Sequence, residues 1–100
     1  MKSHHYFVYI TTNKIKTVLY IGVTNNLRYR LYQHQQDSVG EEKHFTGKYK
    51  CAHLVYYEYF QDIHQAIDRE KQLKKWTREK KEKLIRNFNP EWRPLNKELN

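Results

Sequence analysis

The chain has 100 residues, the usual size of one domain, so we expect a single domain over residues 1–100 and no second core. Nineteen Lys and Arg against eleven Asp and Glu give a net charge of +8, which favours nucleic acid as the partner over an anionic membrane surface. No segment approaches the roughly 20 apolar residues of a membrane-spanning helix, and the polar N-terminus and the lone Cys51, which excludes an internal disulfide, predict a cytoplasmic protein.

Two apolar, β-prone segments near the N-terminus, residues 7–10 and 18–23, are predicted to be strands. The sequence between them, Asn13-Lys14-Ile15-Lys16, is typical of a turn, so the two strands should form an antiparallel hairpin. This turn would place Tyr9 roughly opposite Tyr20 on one face of the sheet. Taken alone, two facing tyrosines indicate packing and nothing more, because strands favour this residue.

A helix, a loop and a third strand are predicted after the hairpin. The helix should begin at Asn25 or Asn26, either of which can cap it, and should end at residue 36. Residues 37–50 contain two glycines and mixed charge, which predicts a loop. Residues 54–60 are rich in Tyr and Val, which predicts a strand.

The last part of the chain is predicted to be helical, with a proline-containing tail. Asp62 should cap a helical region that extends to residue 88 and breaks near Trp76-Thr77, where Thr77 can cap a second helix. The tail after it should pack back on the domain as an irregular segment. The fold class is therefore α+β: a small three-stranded antiparallel sheet flanked by helices, in the order β-β-α-β-α-α.

Polar residues fall on the helix faces that should turn toward the protein. At 100° per residue, Arg30 and His34 share one face with Leu27 and Leu31. In the next helix Glu70 lies at the centre of the apolar stripe, where a carboxylate is costly unless a cation or a metal compensates it. From periodicity alone, a buried Arg30–Glu70 ion pair without function and a functional site are equally supported.

The predicted hairpin and the helix after it carry motifs of a known nuclease superfamily. Tyr20-Ile21-Gly22, with Arg30 following, and Phe7-Val8-Tyr9 before it resemble the GIY-YIG endonucleases, which include the N-terminal nuclease domain of a bacterial excision-repair excinuclease and phage homing endonucleases. The resemblance covers nearly the whole chain and is closest to small stand-alone members. The first motif departs from the family in beginning with Phe-Val instead of Gly-Ile, although Tyr9 is kept.

The resemblance implies a set of catalytic residues and one divalent metal. Glu70 falls where the family places its metal-binding glutamate, which would hold Mg²⁺ or Mn²⁺ with waters completing the coordination. Arg30 would hold a phosphate oxygen. Tyr9, supported by Tyr20, would orient or deprotonate the attacking water as a phenolate, and His34 competes with it for the proton-transfer role.

Basic residues are expected to bind nucleic-acid phosphates. The contacts should be insensitive to sequence and sensitive to salt. The predicted set includes two residues of the loop before the third strand and four in the last two helices: Lys48, Tyr49, Lys71, Lys74, Lys75 and Arg78. For most of these lysines a merely solvated helix face is an equally good interpretation.

The predicted function is hydrolysis of phosphodiester bonds in nucleic acid, with DNA favoured over RNA, in repair or processing of DNA structures. A first alternative is a non-catalytic nucleic-acid-binding module on the same fold. A second is an interaction protein whose tyrosine-rich surface meets a protein partner. A homodimer would be required for double-strand breaks if each domain makes one cut.

Overall fold

The predicted order of elements and the α+β class are confirmed. A computed structural model describes residues 5–39 and 51–99. It contains strands β1 (Tyr6–Thr12), β2 (Leu19–Thr24) and β3 (His53–Phe60), helices α1 (Leu27–Val39), α2 (Ile63–Lys75) and α3 (Arg78–Phe88), and a terminal 3-10 turn, Asn96–Leu99. The strands form one antiparallel sheet in the order β2-β1-β3. None of the helices in the described residues is long and apolar enough to span a membrane.

The hairpin forms as predicted, but its register differs from the expected one. Tyr9 pairs with Gly22 and Tyr20 with Thr11, so the two tyrosines are diagonal neighbours and do not lie opposite each other. The cause is the connection, which is longer than a four-residue turn because the Asn13 carboxamide oxygen accepts hydrogen bonds from the backbone of Thr17 and Val18 at 2.8 and 3.0 Å. A shift of two residues preserves the face of every side chain, so both tyrosines still lie on one face.

The sheet is covered on both faces, which explains why its strands are apolar on both sides. Val8 and Ile10 of β1 belong to a core cluster with residues of α2 and α3. Tyr9, which points to the opposite face, packs with Leu27 and Leu31 of α1. In the central strand, Tyr9 therefore faces α1, while its neighbours Val8 and Ile10 face α2 and α3 on the other side of the sheet.

All three helices begin at predicted N-cap residues. The side chain of Asn26 accepts from the Tyr29 amide at 3.0 Å, that of Asp62 from His64 at 2.9 Å, and that of Thr77 from Lys80 at 3.2 Å. The end of α1 differs from the prediction, since the helix continues to Val39. Neither Gly nor Pro occurs before Gly40 to stop it. Residues 40–50 of the predicted loop lie outside the described residues.

The C-terminal tail packs back on the start of β3, as predicted. The Leu95 amide donates to the Leu54 carbonyl at 2.8 Å, and the Asn96 side chain bonds Leu54 and Ala52 at 3.0 and 2.9 Å. Asn89, which is 4% exposed, donates from its side chain to the carbonyls of Val55 and Arg93. The tail therefore lies beside α1 on the same face of the sheet as Tyr9.

Candidate functional site

The site is built around Tyr9, which the central strand holds directly over a glycine of its neighbour. Tyr9 is fully buried and its register partner is Gly22. A β-carbon at Gly22 would lie 2.5 Å from the Tyr9 hydroxyl oxygen and 2.6 Å from Cζ, which is closer than atoms can approach. The glycine of the Tyr-Ile-Gly motif is thus required because its missing side chain is the space that the phenol occupies.

Gly22→Ala is expected to displace the Tyr9 ring and to destabilise the fold. Overpacking of a buried position costs about 1–3 kcal/mol, and the ring cannot swing freely because its hydroxyl is hydrogen-bonded. Urea unfolding of the variant and the wild type measures this loss. The matched control is Gly22→Ala in a Tyr9→Leu background, where the clash is absent and the added penalty should shrink. An equal penalty in both backgrounds would contradict this account.

Three rings meet at this point of the sheet. The Tyr9 hydroxyl lies 2.9 Å from Nε2 of His34, and both groups are buried. The His34 ring contacts the rings of Tyr9 and Tyr20 edge-on, with centroids 5.6 and 5.2 Å away, and the two tyrosine rings are 6.3 Å apart. The helix phase that turned His34 inward therefore delivers its imidazole to the phenol of the first motif.

The environment of Tyr9 keeps its phenol protonated. Burial is the largest cause and raises the pKa of Tyr9 well above its ordinary value of 10, and the charges of Tyr20 and Glu70 raise it further. The guanidinium of Arg30 lies close enough to lower this pKa, but its effect is smaller than that of burial. The expectation that nearby positive charge makes Tyr9 a phenolate is therefore disfavoured, and Tyr9 is a neutral hydrogen-bonding group.

Glu70 lies on α2, half-buried and within electrostatic reach of Tyr9. Its side chain is 21% exposed and its Oε2 pairs with the Lys74 ammonium at 3.3 Å. Although both residues are described, Arg30 and Glu70 form no ion pair. The simplest non-functional explanation for the inward carboxylate, a closed buried pair with Arg30, is thus not what the structure contains.

The donor set at Glu70 fits a metal that retains most of its water. The described residues contain no group of three or more His, Cys, Asp or Glu side chains able to enclose an ion. A single partly exposed carboxylate matches the way Mg²⁺ binds proteins, through one or two carboxylates and several waters. It does not match a structural zinc site, which needs four protein ligands.

The predicted phosphate-binding residues fall into three groups. Lys71, Lys74 and Lys75 are exposed on α2, and Lys74 contacts Glu70. Arg78 is exposed too, but its guanidinium donates to the carbonyls of Lys16 and Thr17 and to Glu82, so it ties α3 to the hairpin connection. The other two predicted residues, Lys48 and Tyr49, lie outside the described residues.

Sequence reasoning missed two arrangements that support the site. One is the close approach of Tyr9 to Gly22; the glycine was visible only as part of a motif. The other is on the opposite face, where Glu58 receives the Arg69 guanidinium at 2.9 Å and the Tyr56 hydroxyl. This network joins β3 to α2 one residue before Glu70. Tyr56 and Glu58 are neighbours on one face of β3, but their contact with Arg69 depends on how α2 packs on the sheet, which no local pattern in the sequence predicts.

The arrangement combines groups that can move a proton, hold an anionic oxygen and bind a hard cation. A phenol–imidazole pair lies beside a guanidinium, and a carboxylate paired with a lysine lies within electrostatic reach. This combination suits hydrolysis of a phosphate ester.

Comparisons with known proteins identify similar chains. Residues 5–83 match the family described as the GIY-YIG catalytic domain. A UPF0213 protein of Clostridium perfringens is 35% identical over 94% of this chain and 97% of its own length, and one of Bacillus pumilus is 32% identical over 85% and 83%. The solution NMR structure of a UPF0213 protein from Bacillus halodurans is 26% identical, covers 81% of this chain and 82% of its own, and superimposes with a TM-score of 0.49.

Proposed function

Because the chain belongs to the GIY-YIG catalytic-domain family, a family of nucleases, we propose that it is an endonuclease that hydrolyses phosphodiester bonds with the help of one divalent metal ion. DNA is the favoured substrate, in repair or processing of DNA structures. The observation that carries the proposal is the buried hydrogen bond between Tyr9 and His34 beside Arg30.

Glu70 would hold the metal, Mg²⁺ or Mn²⁺, through a carboxylate oxygen. When bound, the ion supplies a Lewis acid that neutralises charge on the phosphoryl group and assists the departing oxygen. Lys71 and Lys75, which are exposed on the same helix as Glu70, would hold phosphates next to the cleaved bond, so binding should weaken as salt rises.

Arg30 would bind a non-bridging oxygen of the same phosphate. Its guanidinium is half-buried at the Tyr9 hydroxyl, which fixes the planar fork before a substrate arrives. Hydrogen-bond donors that already point at a developing negative charge need no reorganisation during the reaction. This preorganisation accounts for most of the transition-state stabilisation that such donors provide. A phosphate held there also brings the attacked phosphorus to the phenol–imidazole pair.

Tyr9 and His34 would act together as a proton relay. The attacking water gives a proton to the Tyr9 oxygen while the Tyr9 hydroxyl proton passes to Nε2 of His34, 2.9 Å away. No standing phenolate is needed, which agrees with the raised pKa of Tyr9. Tyr9 and His34, which were alternative candidates for the general base, would thus be successive proton acceptors in one transfer.

The relay predicts a particular pH dependence of kcat/KM. The raised Tyr9 pKa keeps the phenol protonated as pH increases, so a phenolate base would give a rate that climbs about tenfold per pH unit through pH 10. A relay to an imidazole needs no phenolate, so the rate should stay level between pH 8 and pH 10. A rate still climbing between pH 8 and pH 10 would contradict the relay.

Lys74 should compete with the metal for Glu70, because its ammonium pairs with the same carboxylate. Lys74→Gln is expected to tighten Mn²⁺ binding roughly two- to five-fold, the size of effect that a partly exposed ion pair supports. Electron paramagnetic resonance of free Mn²⁺ measures this without reference to activity. Lys75→Gln, on the same helix but without a pair to Glu70, is the control and should change affinity less. Equal effects in both variants would mean that only general charge matters.

The direct test of hydrolysis is cleavage of labelled DNA with Mg²⁺ and its absence with EDTA. Cleavage that requires the metal supports the proposal. Salt-dependent binding with no cleavage in either condition would instead support the non-catalytic binding module.

A further inference from the structure

Helix α1 carries two large aromatic side chains on its outer face. Tyr29 is 57% exposed and Tyr32 is 58% exposed. Their rings are nearly parallel, at an interplanar angle of 25°, and their centroids lie 6.5 Å apart. Single exposed aromatic residues are common, but here two nearly parallel rings lie together in solvent on one helix. The inner face of the same helix is fully used by Leu27, Leu31 and His34, so packing of this domain does not require the pair.

The pair lies next to the proposed phosphate-binding residue. Tyr29 directly precedes Arg30, and at 100° per residue the sequence Arg30, Tyr29, Tyr32 passes around the helix from the site to the outer face. The step along the helix axis between neighbouring residues is about 1.5 Å, so all three side chains belong to one turn. A nucleic-acid strand with a phosphate at Arg30 would have its next nucleotides beside these rings.

The surroundings of the pair are basic and concave. A cavity of about 700 Å³ opens beside Tyr32, between α1 and the C-terminal turn, and Arg28 and Lys97 line it. Its volume lies within the range of about 300–1,000 Å³ that small-molecule sites occupy. Exposed aromatic rings flanked by cations are the combination with which proteins bind single-stranded nucleic acid, since rings stack on bases and cations meet phosphates.

We propose that Tyr29 and Tyr32 form a stacking platform for unpaired bases next to the cleaved phosphate, which makes the substrate a nucleic acid with single-stranded nucleotides at that point. This inference rests on the proposed function and names the class of substrate. In a continuous duplex the bases are paired and stacked on each other, so their faces cannot reach the rings. Substrates with a flap, a gap or a single-stranded end can offer those faces.

The test is a binding measurement in EDTA with the full chain, using a flap DNA that carries 2-aminopurine in its single-stranded arm and a blunt duplex of equal length. Tyr29→Leu/Tyr32→Leu removes the rings, and Tyr29→Phe/Tyr32→Phe retains them and serves as the matched control. Stacking contributes about 1–3 kcal/mol per base. The leucine variant should therefore lose roughly ten- to a hundred-fold in flap affinity, while the phenylalanine variant binds within about two-fold of the wild type.

The difference between the flap and the blunt duplex in the affinity lost by the leucine variant decides the outcome. A loss confined to the flap, together with weaker quenching of 2-aminopurine in the leucine variant, supports the platform. An equal loss on the blunt duplex, no loss on either DNA, or an equal loss in the phenylalanine variant would overturn it. Because both positions are exposed, thermal unfolding should show unchanged stability, and a lowered Tm would identify a folding effect.

The same experiment separates this inference from the proposed function. Binding in EDTA does not depend on cleavage, so selective flap binding by a wild type that never cuts would refute the nuclease assignment alone. Metal-dependent cutting together with unchanged flap binding in the leucine variant would refute the platform alone.

Discussion

Arg30→Lys should reduce kcat/KM for cleavage about 100- to 1,000-fold, the effect of losing one positioned donor at a developing negative charge. Lysine keeps the charge but lacks the planar, pre-oriented donors of the guanidinium, so the exchange is not conservative here. The loss should fall mainly on kcat, because the lysines of α2 still hold the flanking phosphates. Steady-state kinetics on a labelled DNA measures both parameters.

The matched control for this variant is Arg93→Lys. Arg93 is 67% exposed in the tail and pairs with Glu98. It should retain wild-type kinetics. If Arg30→Lys cuts as fast as the wild type, Arg30 does not bind the reacting phosphate. If Arg93→Lys loses as much, the loss in Arg30→Lys is not specific to the proposed site.

Glu70→Gln should reduce the cleavage rate by at least about 1,000-fold, which corresponds to about 4 kcal/mol of transition-state stabilisation. The amide has nearly the same shape as the carboxylate, and the side chain is partly exposed, so the fold should survive. What is lost is the negative charge that holds the metal. Mn²⁺ binding measured by electron paramagnetic resonance should weaken in parallel with activity.

The control lies two residues away on the same helix. Asp68→Asn removes one negative charge at an exposed position and should leave both cleavage and Mn²⁺ affinity close to the wild type. If Glu70→Gln loses activity but binds Mn²⁺ normally, Glu70 acts on the substrate or the fold and the metal lies elsewhere. Full activity of Glu70→Gln would refute its role outright.

The elements of this fold could be predicted from the sequence because their signals are local. Asn26, Asp62 and Thr77 cap their helices through side-chain hydrogen bonds to amides two or three residues away, and such contacts follow from residue type and spacing. The hairpin register could not be predicted. It depends on the Asn13 side chain, which binds the backbone of two residues and lengthens the connection.

The site was predicted in part for the same reason. Helix periodicity turned Arg30 and His34 inward and placed Glu70 near the core, and the burial of these residues agrees. The contacts that give the site its chemistry join distant residues: Tyr9 with His34, and Tyr9 with the space above Gly22. Helix periodicity cannot predict such contacts. The family resemblance implied a role for each residue, but only the folded structure shows which of these residues are in contact. The effect of burial on Tyr9 also required the fold, and it changed the mechanism from a phenolate to a relay.

The measurement that tests the central claim most directly is cleavage of a panel of labelled DNA and RNA structures by the wild type. Blunt duplex, flap, branched and single-stranded substrates are each incubated with Mg²⁺, Mn²⁺ or EDTA at low salt, with Glu70→Gln in parallel. We predict cutting that needs the metal, is lost in EDTA and in the variant, and favours DNA with an unpaired arm. Binding that weakens with salt, but with no cutting of any substrate in either metal, would contradict the account and leave the fold as a nucleic-acid-binding module.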